Sequence, residues 1–197
     1  MALMVVVFLF AVIVHEVAHG YVALLNGDPT ARILGRITLN PGPHIDPVGS
    51  ILIPGLLLLS HSGILFGWAK PVPVNPMNFR NYRWGEITVS AAGPLSNLAL
   101  AVLFAYLLKL DLGNVGVVKM AAFGVSINIF LALFNLIPIP PLDGSHIVSI
   151  LLPPELRRLY SYLDQVGFIL ILILFYTGVL GALLMPLYRA IAIFLLG

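Results

Sequence analysis

The sequence predicts an all-α membrane protein, a polytopic bundle of about five to six transmembrane helices with a short interfacial or re-entrant β-prone loop. Two observations carry this prediction. Of the 197 residues, 60% are hydrophobic and 9% are charged, whereas a typical soluble domain is roughly 45–50% apolar and about 25% charged. The apolar residues also form several runs that approach or exceed the roughly 20 residues needed to cross a bilayer.

Composition excludes several classes of function. The formal net charge is +2 and the ten Lys and Arg residues are scattered, so no basic surface for nucleic acid is expected. Cysteine is absent, which excludes disulfides, thiolate nucleophiles and thiolate metal ligands. A metal ion would therefore need histidine and carboxylate ligands. We expect residues 1–197 to form one intramembrane domain in the lipid bilayer of the cell membrane, crossing it several times.

The first half of the chain alternates apolar runs with loops. Residues 2–25 are predicted to form a membrane helix, because no basic residue precedes the run and no small-residue cleavage site follows it. Residues 26–47 are rich in Pro, Gly, Asn and Asp, and residues 36–39 have β propensity, which favours a loop or short hairpin. Residues 48–68 are interpreted as a kinked span or a re-entrant pair, and residues 69–85 as an interfacial connector.

The second half contains three further apolar runs. We expect spans at residues 86–110 and 115–137, separated by a polar turn at 111–114. Three prolines then interrupt residues 135–146, and such breaks at membrane depth are tolerated mainly where they line a cavity or pack against protein. Residues 166–196 are long for one span, so they are interpreted as a span plus an interfacial helix or as two kinked segments.

An HExxH motif lies in the middle of the first apolar run. His15 and His19 are four residues apart, so on a helix both imidazoles lie on one face and can bind one Zn²⁺. Glu16 lies about 100° round the helix, where its carboxylate can reach the water that attacks the substrate, which makes it the candidate general base. A chance match is the alternative, but three ionisable groups in an apolar span are costly without a partner.

A catalytic zinc usually has three protein ligands and one open position. Asp143 is the leading third candidate, because it follows the proline-broken segment in an apolar region. The alternatives are His146, His61, His44 and Asp46. His146 lies three residues after Asp143 and could instead orient that ligand through a hydrogen bond.

The HExxH motif and the later sequence Asn135-Leu-Ile-Pro-Ile-Pro-Pro-Leu-Asp143-Gly together resemble the site-2 protease family of intramembrane zinc metalloproteases. The stretches GWAKPVPVNP and AAGPLSN are similar to a compact bacterial and archaeal branch of that family, without PDZ or CBS domains. The resemblance implies one Zn²⁺ held by His15, His19 and Asp143, with Glu16 activating water. It also implies a transmembrane protein as substrate.

Asn97 and Asn135 resemble polar positions near the active site of that family. We expect them to orient substrate or stabilise the oxyanion, and the alternative for both is hydrogen bonding between helices. A metal transporter with a His and Asp transit site is the competing function, and an enzymatically silent relative is a third. Glu16 favours the protease, because a transport site needs no base beside its ligands. The sequence leaves open the oligomeric state and whether a regulatory membrane partner exists.

Overall fold

A computed structural model describes residues 2–53, 56, 69–110 and 113–197 of the chain. Most of these residues are helical, as predicted, and the described part contains no β-strand. Three short elements occur between the α-helices, namely 3-10 turns at Gly42–His44 and Pro76–Asn78 and a π-helix at Pro47–Leu52. The α-helices are α1 (Ala2–Leu25), α2 (Thr30–Ile33), α3 (Tyr82–Lys109), α4 (Val115–Asn135), α5 (Asp143–Leu151), α6 (Pro154–Tyr160), α7 (Leu163–Tyr176) and α8 (Val179–Leu196).

The centre of the bundle is the packing of α3 against α1 on one side and α4 on the other. Helix α8 packs on α4, and α5 packs on α3. Gly124 of α4 lies directly against the ring of Phe104 on α3, and small residues of this kind let helix backbones approach closely in a membrane. The buried apolar core here comprises Val7, Leu100, Ala101, Phe104, Ala105, Ala121, Val125 and Ile129.

Helix boundaries follow local side-chain chemistry. Helix α3 begins at Tyr82, four residues before the predicted start, because the Asn81 side chain accepts a hydrogen bond from the backbone N–H of Trp84. Helix α4 begins after Asn114, which caps it in the same way. Asparagine is among the preferred residues at this position because its oxygen satisfies N–H groups that have no partner within the helix.

The last apolar run forms two helices, α7 and α8, and the break between them falls at Gly178. That glycine has φ of +77°, a left-handed conformation that suits the residue after a helix because glycine has no Cβ. Within the described residues, α1, α3, α4 and α8 are long and apolar enough to cross a membrane. The pair α6 and α7, bent by 56°, makes a fifth candidate span. Five spans would equal the lower end of the predicted five to six and four would be one fewer, and most of the predicted segment 48–68 lies outside the described residues.

Of the loop or short hairpin predicted for residues 26–47, the structure has the loop, since residues 37–39 form bends and residues 36–39 contain no strand. Gly35 has φ of +64° and prolines follow at positions 41, 43 and 47, so the β-prone stretch is too short to build a ladder. The Arg36 guanidinium instead donates hydrogen bonds to the backbone carbonyls of Lys70 and Pro71. This loop is therefore attached to the connector that precedes α3.

Replacing Gly124 with Ala is expected to lower stability by about 1–3 kcal/mol, because the new Cβ overlaps the buried Phe104 ring in an overpacked contact. The measurement is thermal unfolding in detergent. Gly181→Ala is the matched control, since nothing lies within 4 Å of a Cβ at that position. Equal melting temperatures for the two variants would contradict this packing account.

Candidate metal centre

His15 and His19 project from successive turns of α1 into the interface with α3. Both are buried, with 7% and 9% of their surface exposed. Their rings meet edge to face with centroids 4.7 Å apart, and the two Nε2 atoms lie 3.0 Å from each other. The i, i+4 spacing of the motif therefore brings two ligand nitrogens to one point, as the sequence predicted.

The hydrogen bonds of the other ring nitrogens determine the tautomers of both histidines. The Nδ1 of His19 lies 2.7 Å from the backbone carbonyl oxygen of Val89, which can only accept, so Nδ1 carries the proton. The Nδ1 of His15 lies 2.6 Å from the amide oxygen of Asn97. In the neutral form of each ring, with the proton on Nδ1, Nε2 is unprotonated, and two such lone pairs at 3.0 Å repel each other unless a cation or a proton lies between them.

Asp143 supplies the third donor group and is the first residue of α5. Its Oδ2 atom lies 3.2 Å from His15 Nε2, and its Oδ1 atom lies 3.3 Å from His19 Nε2. The Oδ2 atom is buried and makes no hydrogen bond. A buried carboxylate oxygen without a partner is costly, and a bound cation would satisfy it.

The proline-broken segment before α5 fixes the position of Asp143. Gly144 lies so close to the backbone of Leu136 that a Cβ would overlap its carbonyl group, and Gly167 of α7 lies equally close to the carbonyl of Pro140. The Tyr160 hydroxyl donates a hydrogen bond of 2.8 Å to the carbonyl of Pro138. The Tyr160 bond satisfies the Pro138 carbonyl, which lies outside the helical ladder, and the two close glycine contacts pack the segment against the bundle.

Three donor groups therefore converge, and within the described residues they are the one such group of histidines and acids that could hold a metal ion. A tetrahedral Zn²⁺ with bonds of about 2.0–2.1 Å separates its donor atoms by about 3.3–3.4 Å. The two Nε2 atoms lie 3.0 Å apart, and each lies 3.2–3.3 Å from a different oxygen of the Asp143 carboxylate, so the spacings are close to that separation. Two neutral imidazoles and one carboxylate also match the nitrogen and oxygen ligands that zinc accepts, so the residues fit zinc.

Gly93 of α3 packs flat against the two imidazoles. A Cβ at this position would overlap the Nε2 atoms of both His15 and His19. Glycine is therefore required here for α3 to approach the face of α1 that carries His15 and His19. The adjacent Pro94 is also fully buried inside α3.

A chain of buried amides lies behind His15. The Asn97 Nδ2 group donates to the carbonyl of Ala11 and to the Oδ1 of Asn128, at 3.3 and 2.9 Å. The Asn128 Nδ2 group in turn donates to the carbonyl of Gly124 at 2.8 Å. Both asparagines are completely buried, and the chain connects α4 through α3 to the His15 ring. Partners of this kind orient a metal-ligating histidine and raise its basicity.

Glu16 lies beside the three donors and is half-buried. Its Oε2 atom accepts a hydrogen bond of 2.7 Å from the backbone N–H of Val72. Val72 belongs to the connector before α3. No pattern in the sequence predicted a contact between this connector and Glu16. The connector therefore reaches the centre and holds one oxygen of this carboxylate.

The remaining candidates from the sequence lie elsewhere. The Asn135 amide donates to the carbonyl of Leu131 in its own helix. His146 is exposed, and its Nδ1 atom lies 3.7 Å from Glu86 on α3. His44 is buried and bonds to the carbonyl of Thr38. Asp46 caps Pro47–Leu52, and His61 lies outside the described residues.

The observed contacts of Asn97, Asn135 and His146 can be compared with the roles expected for them. Asn97 makes the hydrogen bonds between helices that were its alternative interpretation. The substrate or oxyanion roles of Asn97 and Asn135 stay predictions. The same is true of a contact between His146 and Asp143.

Comparison with known proteins gives one family match and several relatives. The family model described as Peptidase family M50 matches residues 109–174. The Bacillus subtilis (strain 168) protein named "Putative zinc metalloprotease YwhC" is 40% identical over 200 residues, covering 96% of this chain and 87% of that protein. Proteins named "Putative zinc metalloprotease Rip2" from Mycolicibacterium smegmatis and Mycobacterium tuberculosis H37Rv are each 32% identical, covering 88% of this chain and 66% of each relative. No solved structure gives a significant match.

Replacing Asn97 with Ala is expected to weaken zinc binding by about 10–100-fold, the usual effect of removing a partner that orients a metal-bound histidine. The measurement is zinc retention against a graded series of chelator concentrations. Asn128→Ala is the matched control, since Asn128 is equally buried but does not touch His15. An equal loss of zinc affinity in both variants would show that the direct Asn97–His15 hydrogen bond has no effect of its own.

Proposed function

The chain belongs to peptidase family M50, a family of zinc metalloproteases, and we propose that it is an intramembrane endopeptidase that hydrolyses peptide bonds in transmembrane or membrane-anchored protein segments. The membership and the relatives' names make it a zinc metalloprotease of the membrane. The proposal adds the place of cleavage, the residues that bind zinc and the residue that moves the proton.

One observation carries the assignment of the ligands. The unprotonated Nε2 atoms of His15 and His19 and the Asp143 carboxylate meet at separations of 3.0–3.3 Å. We assign these three residues as the protein ligands of one zinc per chain, which leaves a fourth position for water or substrate. Zinc bound there supplies the activation of water and the polarisation of the scissile carbonyl.

Glu16 is assigned as the general base. The hydrogen bond from Val72 holds its Oε2 atom, and we assign Oε1 as the atom that accepts the proton of the attacking water. The same oxygen then delivers this proton to the leaving amine. A positioned carboxylate of this kind contributes typically 10²–10⁴-fold to a rate. Asp143 and the two histidines keep their places during these transfers because α3 and α5 hold them.

The depth of the centre supports cleavage within the membrane. His15 is about 20 Å from the start of α1 at ~1.5 Å per residue, near the middle of the candidate span Leu3–Leu25. A substrate helix hides its carbonyls in hydrogen bonds within the helix, so it must unwind locally before water can attack. We propose that the loop before Asp143 and the connector that contains Val72 border the aqueous path. We place the enzyme in the cell membrane and leave a regulatory membrane partner as a further proposal.

Glu16→Gln is expected to keep one zinc per chain and to lower kcat by at least about 10²-fold, because an amide cannot take the proton. The measurements are zinc content and cleavage of a generic single-pass transmembrane protein in detergent, on the same preparation. Asp143→Ala, by contrast, is expected to lose zinc and activity together.

Glu86→Gln is the control, since Glu86 is a half-buried carboxyl group on α3 whose described ion-pair contact is with His146 rather than the zinc ligands. It is expected to cleave at the native rate. Native chain that binds zinc without cleaving, combined with a Glu16→Gln effect on metal flux in liposomes, would replace the protease with the transporter. Full cleavage by Glu16→Gln would contradict its role as base.

A further inference from the structure

Residues 70–75, with the sequence KPVPVN, form an extended segment that we call the strap. It precedes Pro76–Asn78 and runs past α1. Val72 is its buried side chain and packs against Gly20, one residue after His19. Proline has no backbone N–H, so between Pro71 and Pro73 the N–H that reaches Glu16 can come from Val72 alone.

The strap depends on other elements for its position. It forms no strand or helix, and two of its six residues are prolines that cannot donate a hydrogen bond. At its first end, Lys70 donates its N–H to the carbonyl of His44 at 2.9 Å. The Arg36 guanidinium binds the carbonyls of Lys70 and Pro71 at 2.7 and 3.1 Å.

The other end of the strap is bound by Asp28. Its Oδ2 atom accepts the N–H of Asn75 at 2.7 Å, and its Oδ1 atom accepts the side-chain amide of Asn78 at 2.7 Å. Thr30 donates both its N–H and its hydroxyl to the same Oδ1 atom. Asp28 is completely buried, and it follows α1 by a turn at Gly27, where φ is +109°.

The Asp28 carboxylate is surrounded by neutral donors. Burial opposes its ionisation, but the hydrogen bonds from Thr30, Asn75 and Asn78 outweigh burial and hold the pKa of Asp28 below its ordinary value. Asp28 is therefore charged at neutral pH. Hydrogen bonds to an ionised acceptor are roughly twice as strong as those between neutral groups. Asp28 therefore binds this end of the strap strongly.

We propose that Asp28 is a positioning residue for Glu16, which it aligns by holding the strap so that the Val72 N–H meets the Glu16 carboxylate. This inference rests on the proposed function of Glu16 as general base. Asp28 does not touch the reacting atoms. It connects the end of α1 to the strap, and the strap returns to α1 three turns earlier, at Glu16. Arg36 holds the opposite end of the strap in the same way.

Loss of a positioning residue should lower kcat without loss of zinc, whereas loss of an ordinary structural anchor should lower both together. The zinc ligands take their orientation from Asn97, Val89 and the segment before α5, none of which belongs to the strap. Loosening the strap should therefore leave zinc in place and misalign Glu16. The expected signature is a lower kcat at unchanged zinc content and unchanged KM.

The test compares Asp28→Ala and Asp28→Asn in the full-length protein in detergent. Asp28→Ala is expected to retain one zinc per chain, to lower kcat by about 10–100-fold and to leave KM within about twofold. Asp28→Asn keeps the shape of the side chain and one accepting oxygen, so its kcat should fall less than that of Asp28→Ala. Hydrogen exchange of the strap amides at residues 70, 72, 74 and 75 should become at least about tenfold faster in Asp28→Ala, since charged hydrogen bonds are worth this much.

Asn114→Ala is the matched control. Asn114 also caps backbone N–H groups with a side-chain oxygen, but it does so at α4, away from the strap. It should change neither strap exchange nor kcat. If Asp28→Ala does not fold, an ester bond in place of the Val72 amide N–H tests the same link, because it removes the donor to Glu16 and keeps the side chain.

Several results would overturn the proposal. One is loss of zinc in step with activity in the Asp28 variants, and another is faster strap exchange at native kcat. Native kcat in the Val72 ester would also overturn it. Failure of the proposed function looks different, because the native chain would then bind zinc and cleave nothing, while the exchange measurement would still report on the strap.

Discussion

The approach of two unprotonated imidazole nitrogens is the interaction on which the rest of the centre depends. His15 and His19 face each other through Nε2 atoms 3.0 Å apart, and the protons of both rings are held on the opposite side. Two neutral imidazoles in this arrangement repel each other, and the buried Asp143 carboxylate beside them needs a positive partner, either a bound cation or a protonated histidine. A zinc ion bound here would replace the repulsion between the nitrogens and the unpaired carboxylate charge with bonds to the metal. The neighbouring helices serve to keep that arrangement in place.

The second organising constraint is the satisfaction of polar groups in an apolar bundle. Asn97 and Asn128 are completely buried, and their amides form a chain from α4 to His15 on α1. Gly93 gives α3 the clearance to cover the imidazoles. His15, His19, Asn97 and Asn128 thus each have a hydrogen-bond partner, as the cost of an unpaired polar group at membrane depth requires. The same requirement is met outside the membrane helices, where Asp28 and Arg36 bind backbone groups of the strap that form no helix or strand hydrogen bonds.

The sequence predicted what is local and periodic. The first helix, the shared face of His15 and His19, and the break that places Asp143 all follow from spacing, proline and burial cost. The contacts of Asn97 with His15 and of Val72 with Glu16 join residues 82 and 56 positions apart, and no local pattern encodes such pairings. At residues 36–39 the loop formed rather than the alternative hairpin for a related reason, since β propensity matters only where a partner strand exists.

Zinc K-edge X-ray absorption on the native protein and on Asp143→Ala tests the central claim most directly, because it reports the ligand atoms themselves. The account predicts a native shell of nitrogen and oxygen donors at about 2.0–2.1 Å with the multiple-scattering signature of two imidazoles. In Asp143→Ala, any zinc that remains should keep the two imidazoles and lose the carboxylate. A native spectrum without two imidazoles, or an identical spectrum for the variant, would contradict it.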